Sequence, residues 1–387
     1  MKKIYLDYAA TTPLDKRVLK AMTPFLTEKY GNTMSLHSFG QEAKIALEKS
    51  REAIAGLIGA KSNEIIFTGS ATESNNLALK GVAFRNKDRG RNIIISSIEH
   101  PCIIEAADWL KKQGFRITKL KVDKFGLVNP SDVLKAIEKD TILVSIIHAS
   151  NEIGTIEPVK EIGEICRKKG VYFHSDASQS FGKIPINVEE MKIDLLTASS
   201  HKIYGPKGAA CLFVKEGVII EPLLHGGGQE TGLRSSTVNA AAVVGFAKAV
   251  ELSKKDMKKE YERISRLKDK VVKEVLKIEE AHLSGHPVKR LPNITSFWFS
   301  FIEGESLVIQ LDLEKIAAST GSACSSVKLE PSPVLLAIGL KPHQAHGSLR
   351  ISFGRYTKDS DIDYLIKVLP EVVKKLRKIS PFYYKNK

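Results

Sequence analysis

Asp194-Leu195-Leu196-Thr197-Ala198-Ser199-Ser200-His201-Lys202-Ile203-Tyr204-Gly205-Pro206-Lys207-Gly208 is the stretch on which the reading of the fold turns. The run from Asp194 to Ala198 predicts a buried strand, and Gly-Pro-Lys-Gly predicts a turn. Lys202 therefore stands just past a strand, flanked by hydroxyls and a histidine, on backbone restrained by Gly and Pro. That placing suits a lysine that projects into a cleft and forms an imine. Taken alone it suits a surface lysine in a polar loop as well, so the neighbouring segments have to decide.

Outward from this stretch the pattern alternates. Strands are predicted at Glu64–Thr68, Asn92–Ser96, Phe115–Val122, Ile142–Ile147, Val171–Ser175 and Ala209–Val214. Helices fall between them, at Ala71 to about Asn86, Pro101–Gln113, Pro130–Glu138 and Pro158–Lys169. Apolar strands alternating with helices mean a mostly parallel sheet covered on both faces. Two helices precede it, one opening at Pro13 and Asp15 and one over Phe39–Gly59. A long helix runs from Thr237 to about Ile278, and its charged middle, Lys254 to Glu262, marks a domain boundary. Beyond it, strands at Pro292–Phe301 and Ser348–Phe353 and helices at Glu303–Leu313, Pro331–Gly339 and Lys358–Lys378 make a smaller α/β unit. The expected division is a large domain over 14–255 and a small one from 1–13 with 256–387.

The bulk composition fits this. The chain has 387 residues, 43% hydrophobic and 27% charged, as in soluble globular proteins. No apolar run approaches the roughly 20 residues that span a bilayer, and the start, Met1 to Asp7, has no signal-peptide pattern. No membrane association is expected, and the cytoplasm is. The net charge of +15 is spread among mixed lysines and acids, as in Lys254–Glu260, without an Arg-rich stripe or a nucleic-acid motif, so no nucleic-acid partner is expected. The four cysteines form no C-x-x-C pair, so neither zinc nor a redox dithiol is indicated. Cys166 and Cys211 read as buried thiols. Cys324 sits in a small-residue run, Ser319-Thr320-Gly321-Ser322-Ala323-Cys324-Ser325-Ser326, that gives a thiol little to pack against.

Ligands of open parallel sheets bind at the carboxyl ends of strands. The first strand is followed by Thr68-Gly69-Ser70-Ala71-Thr72-Glu73-Ser74-Asn75-Asn76, a turn opening a helix whose free N–H groups suit a phosphate. It is neither a Walker motif nor a dinucleotide fingerprint. The later strands are followed by Glu99-His100-Pro101, by Asn151-Glu152-Ile153-Gly154-Thr155, by Asp176-Ala177-Ser178-Gln179 and by Ser199-Ser200-His201-Lys202. One sheet edge thus gathers His100, Asn151, Asp176, Gln179, Ser199, His201 and Lys202. An imine-forming lysine, an acid for a pyridinium nitrogen and a phosphate cradle are what pyridoxal 5'-phosphate requires.

With Gly321-Ser322-Ala323-Cys324-Ser325-Ser326 and Ser348-Leu349-Arg350-Ile351-Ser352-Phe353-Gly354-Arg355, these motifs resemble the cysteine desulfurases of the NifS/IscS type, class V aminotransferases of the fold-type I pyridoxal phosphate group. The resemblance runs from Tyr5 to about Tyr356. It implies that Lys202 carries the cofactor, His100 stacks on its ring, Asp176 pairs with the ring nitrogen and Gln179 contacts the phenolic oxygen. Ala71, Thr72, Ser199 and His201 would hold the phosphate. Thr237 would reach the phosphate of a partner subunit, making the active unit a homodimer. Arg350 would bind the substrate carboxylate, with Asn151 and Asn32 nearby. The implied activity takes sulfur from L-cysteine as a persulfide on Cys324 and releases alanine, with His100 and Lys202 moving protons. No intrinsic metal is implied, although Cys324 is a candidate transient iron–sulfur ligand. The implied sulfur acceptor is an iron–sulfur scaffold or a sulfur carrier. The chain departs from the family pattern at Thr231, Ser236 and Val238, next to Thr237, and at Ser180, and it ends soon after Pro381.

Two other readings stand beside this one. A related lyase or transaminase would act on another amino acid, such as selenocysteine or cysteine sulfinate. A non-catalytic assembly subunit would use Cys324 only as a sulfur carrier or cluster ligand.

Overall fold

The computed structural model describes residues 3–321, 330–381 and 383. A short strand β1 (Ile4–Tyr5) leads into helices α1 (Lys16–Thr27) and α2 (Ser38–Ile58). Asp15 starts α1 by accepting a hydrogen bond from Arg17 N, and Gly59 ends α2 at φ 72°, a left-handed turn that glycine takes without strain.

The alternation then builds one sheet. Its strands are β2 (Ile65–Thr68), β3 (Asn92–Ser96), β4 (Arg116–Leu120), β5 (Thr141–Ser145), β6 (Tyr172–Asp176), β7 (Leu195–Ser199) and β8 (Ala210–Val214), in the order β2-β8-β7-β6-β5-β3-β4. Only β8 runs against its neighbours. Strands β2, β3, β5, β7 and β8 are buried at every residue, which is why their sequences are continuous apolar runs and do not alternate. Helices α3 (Ala71–Arg85), α4 (Pro101–Lys112), α5 (Pro130–Ala136) and α6 (Val159–Lys169) connect them. Two apolar clusters flank the sheet, one containing Val144, Phe173 and Phe213, the other Ile93, Ile95 and Leu143. Adjacent residues of β3 point to opposite faces, Ile93 and Ile95 to one cluster and Ile94 to the other, as a strand covered on both sides requires. The mostly parallel α/β sheet expected from the sequence is the one found.

Helix α7 (Ala240–Val275) crosses the molecule. Its first half, through Phe246 and Val250, packs on the sheet's core, whereas Ile264, Leu267, Val271 and Val275 belong to a separate core. That second core also holds Leu6 and residues of β10 (Ile294–Phe299), α8 (Gly304–Leu313), β12 (Ser348–Ser352) and α11 (Asp359–Ile379). The N-terminal arm joins it by sheet pairing, with β1 lying parallel to β11 (Ile316–Ala317). β9 (Ala281–Ser284) completes an antiparallel sheet, β12-β10-β9.

Three elements are absent from the sequence-based expectation: β9, β11 and α10 (Pro342–His346). Each has five residues or fewer, too short to display a period. The long helix starts at Ala240 and not at Thr237, because the Asn239 side chain accepts from Ala242 N and caps it there. The helix expected over 331–339 is the shorter α9 (Pro333–Ala337), capped by Ser332. Cys166 and Cys211 are buried as expected, and the lysines near Lys254 are exposed. Among the described residues no helix is long and apolar enough to cross a membrane, and no group of His, Cys, Asp and Glu could hold a metal ion.

Candidate active site

A cavity of about 750 Å³ opens where strands β5, β6 and β7 end and helices α3 and α4 begin. Ten of the residues singled out in the sequence line it: Ala71, Thr72, His100, Asn151, Asp176, Gln179, Ser199, His201, Lys202 and Arg350. The volume lies within the range of small-molecule and cofactor sites.

Lys202 ends a single 3₁₀ turn, Ser200–Lys202, directly after β7. Gly205 lets the chain close that turn, because a Cβ there would overlap Ser200 Oγ. The ammonium of Lys202 donates to the carbonyls of Ala9 (2.6 Å) and Ala10 (2.7 Å). The arm carrying those carbonyls is fastened to the same turn, with Thr12 N donating to His201 O (3.1 Å) and Tyr204 N to Thr12 Oγ1 (2.8 Å).

Asp176 is the last residue of β6 and is only 4% exposed. Its carboxylate accepts from Asn75 Nδ2 (2.7 Å), Ser178 N (2.9 Å) and Ser178 Oγ (2.5 Å). Such donors stabilise a buried carboxylate that would otherwise be costly to desolvate. His100 caps α4, and Cys102 N donates to its Nδ1 (3.2 Å). An N–H donor at Nδ1 makes that nitrogen the acceptor and leaves the ring proton on Nε2. Burial holds His100 below the usual imidazole range, against the pull of Asp176 and with help from Lys202. Burial, then the charges of Lys202, Lys207 and Lys183, takes His201 down to about 4, so both imidazoles are neutral at pH 7.

Ala71 and Thr72 are the first two residues of α3, whose N–H groups have no acceptor inside the helix. Glu73 fixes the turn before it by accepting from Gly69 N (2.8 Å) and Arg234 Nε (2.7 Å). Gln179 Nε2 donates to Ala9 O (2.9 Å). Arg350, on β12, is 3% exposed and donates to Asn151 O (3.0 Å) and Asp7 Oδ1 (2.9 Å), while its buried Nε has no partner among the described atoms.

Asn32 and Thr237 are not brought to this cavity. Both are exposed, and the Asn32 side chain is turned to Met34 N (3.0 Å). Within one chain, Asn32 therefore does not join Arg350 in lining the cavity. Cys324 lies outside the described residues, but Gly321 and Glu330, which flank its segment, both line the cavity.

Sequence reasoning missed several wall residues. Cys102 lies 3.0 Å from His100 Nδ1, and burial pushes its thiol up to about 12. Burial raises Glu99 to about 8; its Oε1 accepts from Ser96 Oγ (2.7 Å) and Ile147 N (2.8 Å). Burial raises Glu152 to about 7, against the Ser332 hydrogen bond and the charge of Arg350. Lys183 is not in the wall but donates from behind it to Gln179 Oε1 (3.4 Å), and burial and then Lys202 bring it down to about 7. Glu99 and Glu152 stood within quoted motifs, adjacent to His100 and Asn151, and that adjacency was the available signal.

The aminotransferase class-V family model matches residues 4–365, every cavity residue named above included. The chain belongs to the class-V aminotransferase family. Among curated proteins it is similar to cysteine desulfurase IscS of Dictyoglomus turgidum, 52% identical across 98% of this chain and 97% of that one. Among solved structures it is similar to a NifS-like protein, with a TM-score of 0.91 and 38% identity over 97% of this chain and 100% of that chain. It is also similar to SspA in complex with cysteine, with a TM-score of 0.80 and 36% identity over 92% of this chain and 100% of that chain. The class-V family and the cysteine desulfurase relatives agree with the resemblance read from the motifs.

Proposed function

We propose that this chain is a cysteine desulfurase that moves the sulfur of L-cysteine to Cys324 and releases L-alanine. The observation that carries the reading is that Gly321 and Glu330, on either side of the Cys324 segment, line the same cavity as Lys202, Asp176, His100 and Arg350. A transaminase needs the lysine, the acid and the arginine, but has no use for the thiol of Cys324.

The wall suits pyridoxal 5'-phosphate. It offers a lysine, an ordered buried carboxylate, an open helix N-terminus for a phosphate, and a buried Asn75 Oδ1 without a partner among the described atoms. Lys202 would carry the cofactor, His100 would lie against its ring, Asp176 would meet its nitrogen and Gln179 its phenolic oxygen. Ala71, Thr72, Ser199 and His201 would take its phosphate. Bound there, the cofactor supplies the electron sink that lets the Cα–H and C–S bonds of cysteine break. Arg350, with Asn151 beside it, orients the substrate carboxylate. Lys202 Nζ moves the Cα proton, and neutral His100 can give up the proton on its Nε2. Cys324 Sγ is the sulfur acceptor. Overall, the C–S bond of cysteine and the S–H bond of Cys324 are exchanged for an S–S bond and a C–H bond.

Leu19, Leu26, Tyr30, Met34, Leu36 and Phe39 are exposed along α1, the loop after it and the start of α2. That apolar surface suits a second copy of this chain, and the exposed Thr237 is free to act across such an interface. A persulfide has to be passed on, so the protein serves a scaffold for iron–sulfur clusters or a sulfur carrier, in the cytoplasm. We read residues 14–255 as the cofactor-binding unit, and 1–13 with 256–387 as the unit that brings Cys324.

The test is the pair Lys202→Ala and Cys324→Ala. In protein supplied with pyridoxal phosphate, Lys202→Ala loses the visible absorption band of the lysine-bound cofactor. Cys324→Ala keeps the band and loses sulfide and alanine release from cysteine. Wild-type turnover by Cys324→Ala would remove the persulfide reading and favour the lyase alternative.

A further inference from the structure

His100 and Asp176 reach the cavity from different elements, one as the cap of α4 and the other as the end of β6. A side chain with no part in the chemistry described so far lies between them. Cys102, in the first turn of α4, lines the cavity with its sulfur 3.0 Å from His100 Nδ1. From α3, Asn75 Nδ2 donates both to Cys102 Sγ (3.2 Å) and to Asp176 Oδ2 (2.7 Å). An amide nitrogen carries two hydrogens, so both are in use. The buried Asn75 Oδ1 is left without a partner among the described atoms.

These contacts set the direction of each hydrogen bond. Burial, helped by the charges of Asp176 and Glu99, keeps Cys102 a neutral thiol with a proton to donate. Asn75 and Thr72 pull against that rise, as donors to sulfur do. The acceptor left for the S–H is His100 Nδ1, which the Cys102 N–H also meets (3.2 Å). Both donors to that nitrogen thus belong to residue 102. A donor at Nδ1 stabilises the neutral ring and leaves its proton on Nε2. The charges facing the ring are Asp176, which favours the imidazolium, and Lys202, which opposes it. The thiol acts in the same sense as Lys202 and against Asp176.

We propose that Cys102 is a positioning residue whose thiol accepts from Asn75 and donates to His100 Nδ1, holding the imidazole and the Asp176 carboxylate in one hydrogen-bonded relay with the ring proton on Nε2. The part this relay plays in the reaction rests on the reading of His100 and Asp176 as cofactor contacts. A serine hydroxyl at 102 makes the same two bonds, and an alanine makes neither.

The first measurement uses the full chain without cofactor, isotopically labelled at the histidine ring nitrogens, with the His100 signals assigned by their loss in His100→Gln. NMR is followed from acid to neutral pH. The wild type is expected to show His100 neutral at pH 7 with its proton on Nε2. Cys102→Ala is expected to raise the His100 midpoint by on the order of half to one pH unit, the net effect of one hydrogen bond. Cys102→Ser is expected to restore most of the wild-type midpoint. An unchanged midpoint in Cys102→Ala, or a shift as large in Cys102→Ser, would overturn the relay. Should Cys102→Ala fail to fold, Cys102→Val fills the space without a donor and takes its place.

The second measurement uses protein loaded with pyridoxal phosphate and turning over L-cysteine. Cys102→Ala is expected to lower kcat for alanine release by on the order of tenfold, as slight misplacement of an acid–base group does, with KM near the wild-type value. The acid limb of its pH profile is expected to move upward with the NMR midpoint, and Cys102→Ser to recover most of the rate. Wild-type kcat and pH profile in Cys102→Ala would overturn the relay's part in the reaction. A wild-type chain that takes up no cofactor, or forms no alanine, would remove the functional reading instead, and the NMR midpoints would still decide the relay.

Discussion

At the scale of the residue, the site is made of charges placed where water is scarce, and the wall acids carry a cost that depends on pH. Glu99 is raised from the ordinary carboxyl range to about 8 by burial. The folded chain therefore holds this proton between pH 5 and 8 while the unfolded chain releases it, so the folded state loses stability as pH rises through that window. Replacing Glu99 with Gln keeps an acceptor for Ser96 Oγ and Ile147 N and removes the titration. In chemical unfolding of Glu99→Gln, stability is expected to fall less between pH 5 and pH 8 than in the wild type. The expected difference is a few kcal/mol, from about 1.4 kcal/mol for each pH unit of that window. An equal fall in both proteins would contradict the assignment. Much of this scale was legible in the sequence. Lys202, Asp176 and His100 each follow an apolar run, and side chains at strand ends of a parallel sheet converge. The carbonyls of Ala9 and Ala10 that hold Lys202, and the burial of Lys183, were not legible. They depend on an arm some 190 residues distant folding back onto the turn, and no local pattern encodes that.

At the scale of the element, the decisive piece is the turn from Ser200 to Gly208. It takes the chain out of β7 and presents Lys202, and it closes only because Gly205 has no side chain against Ser200 Oγ, Ser200 O and Ala249 Cβ. Gly205→Ala is expected to force this turn open. The measurements are the melting temperature, which should fall, and the visible band of bound cofactor, which should weaken or disappear. A substituted protein with an unchanged band would show that the turn does not fix Lys202. The strands that carry the site were readable because burial on both faces makes them unbroken apolar runs. β9 and β11 were not, since a strand of two to four residues owes its existence to its partner and not to its own composition. Likewise the true start of α7 lay in the hydrogen bond from Ala242 N to Asn239, a capping choice that apolar spacing does not reveal.

At the scale of the whole molecule, two cores are joined by α7 and by the N-terminal arm, and the cavity takes its walls from both. Lys202, Asp176 and His100 come from the large sheet, while Arg350 and Gly321 come from the other side. The apolar surface along α1 and α2 predicts a dimer at this scale. Sedimentation should give twice the chain mass, and Leu26→Asp with Phe39→Asp should reduce it to one chain; a wild-type monomer would contradict that surface's role. The sequence motifs predicted which residues meet in the cavity, but Asn32 and Thr237 stand apart from it in one chain. The most direct measurement of the central claim is to mix pyridoxal phosphate-loaded protein with L-cysteine without a sulfur acceptor, then to map the modified cysteine and quantify alanine. One added sulfur per chain is expected, on Cys324, with an equal amount of alanine. Alanine formed in a burst with no sulfur on Cys324, or sulfur found on Cys102, Cys166 or Cys211 instead, would contradict it.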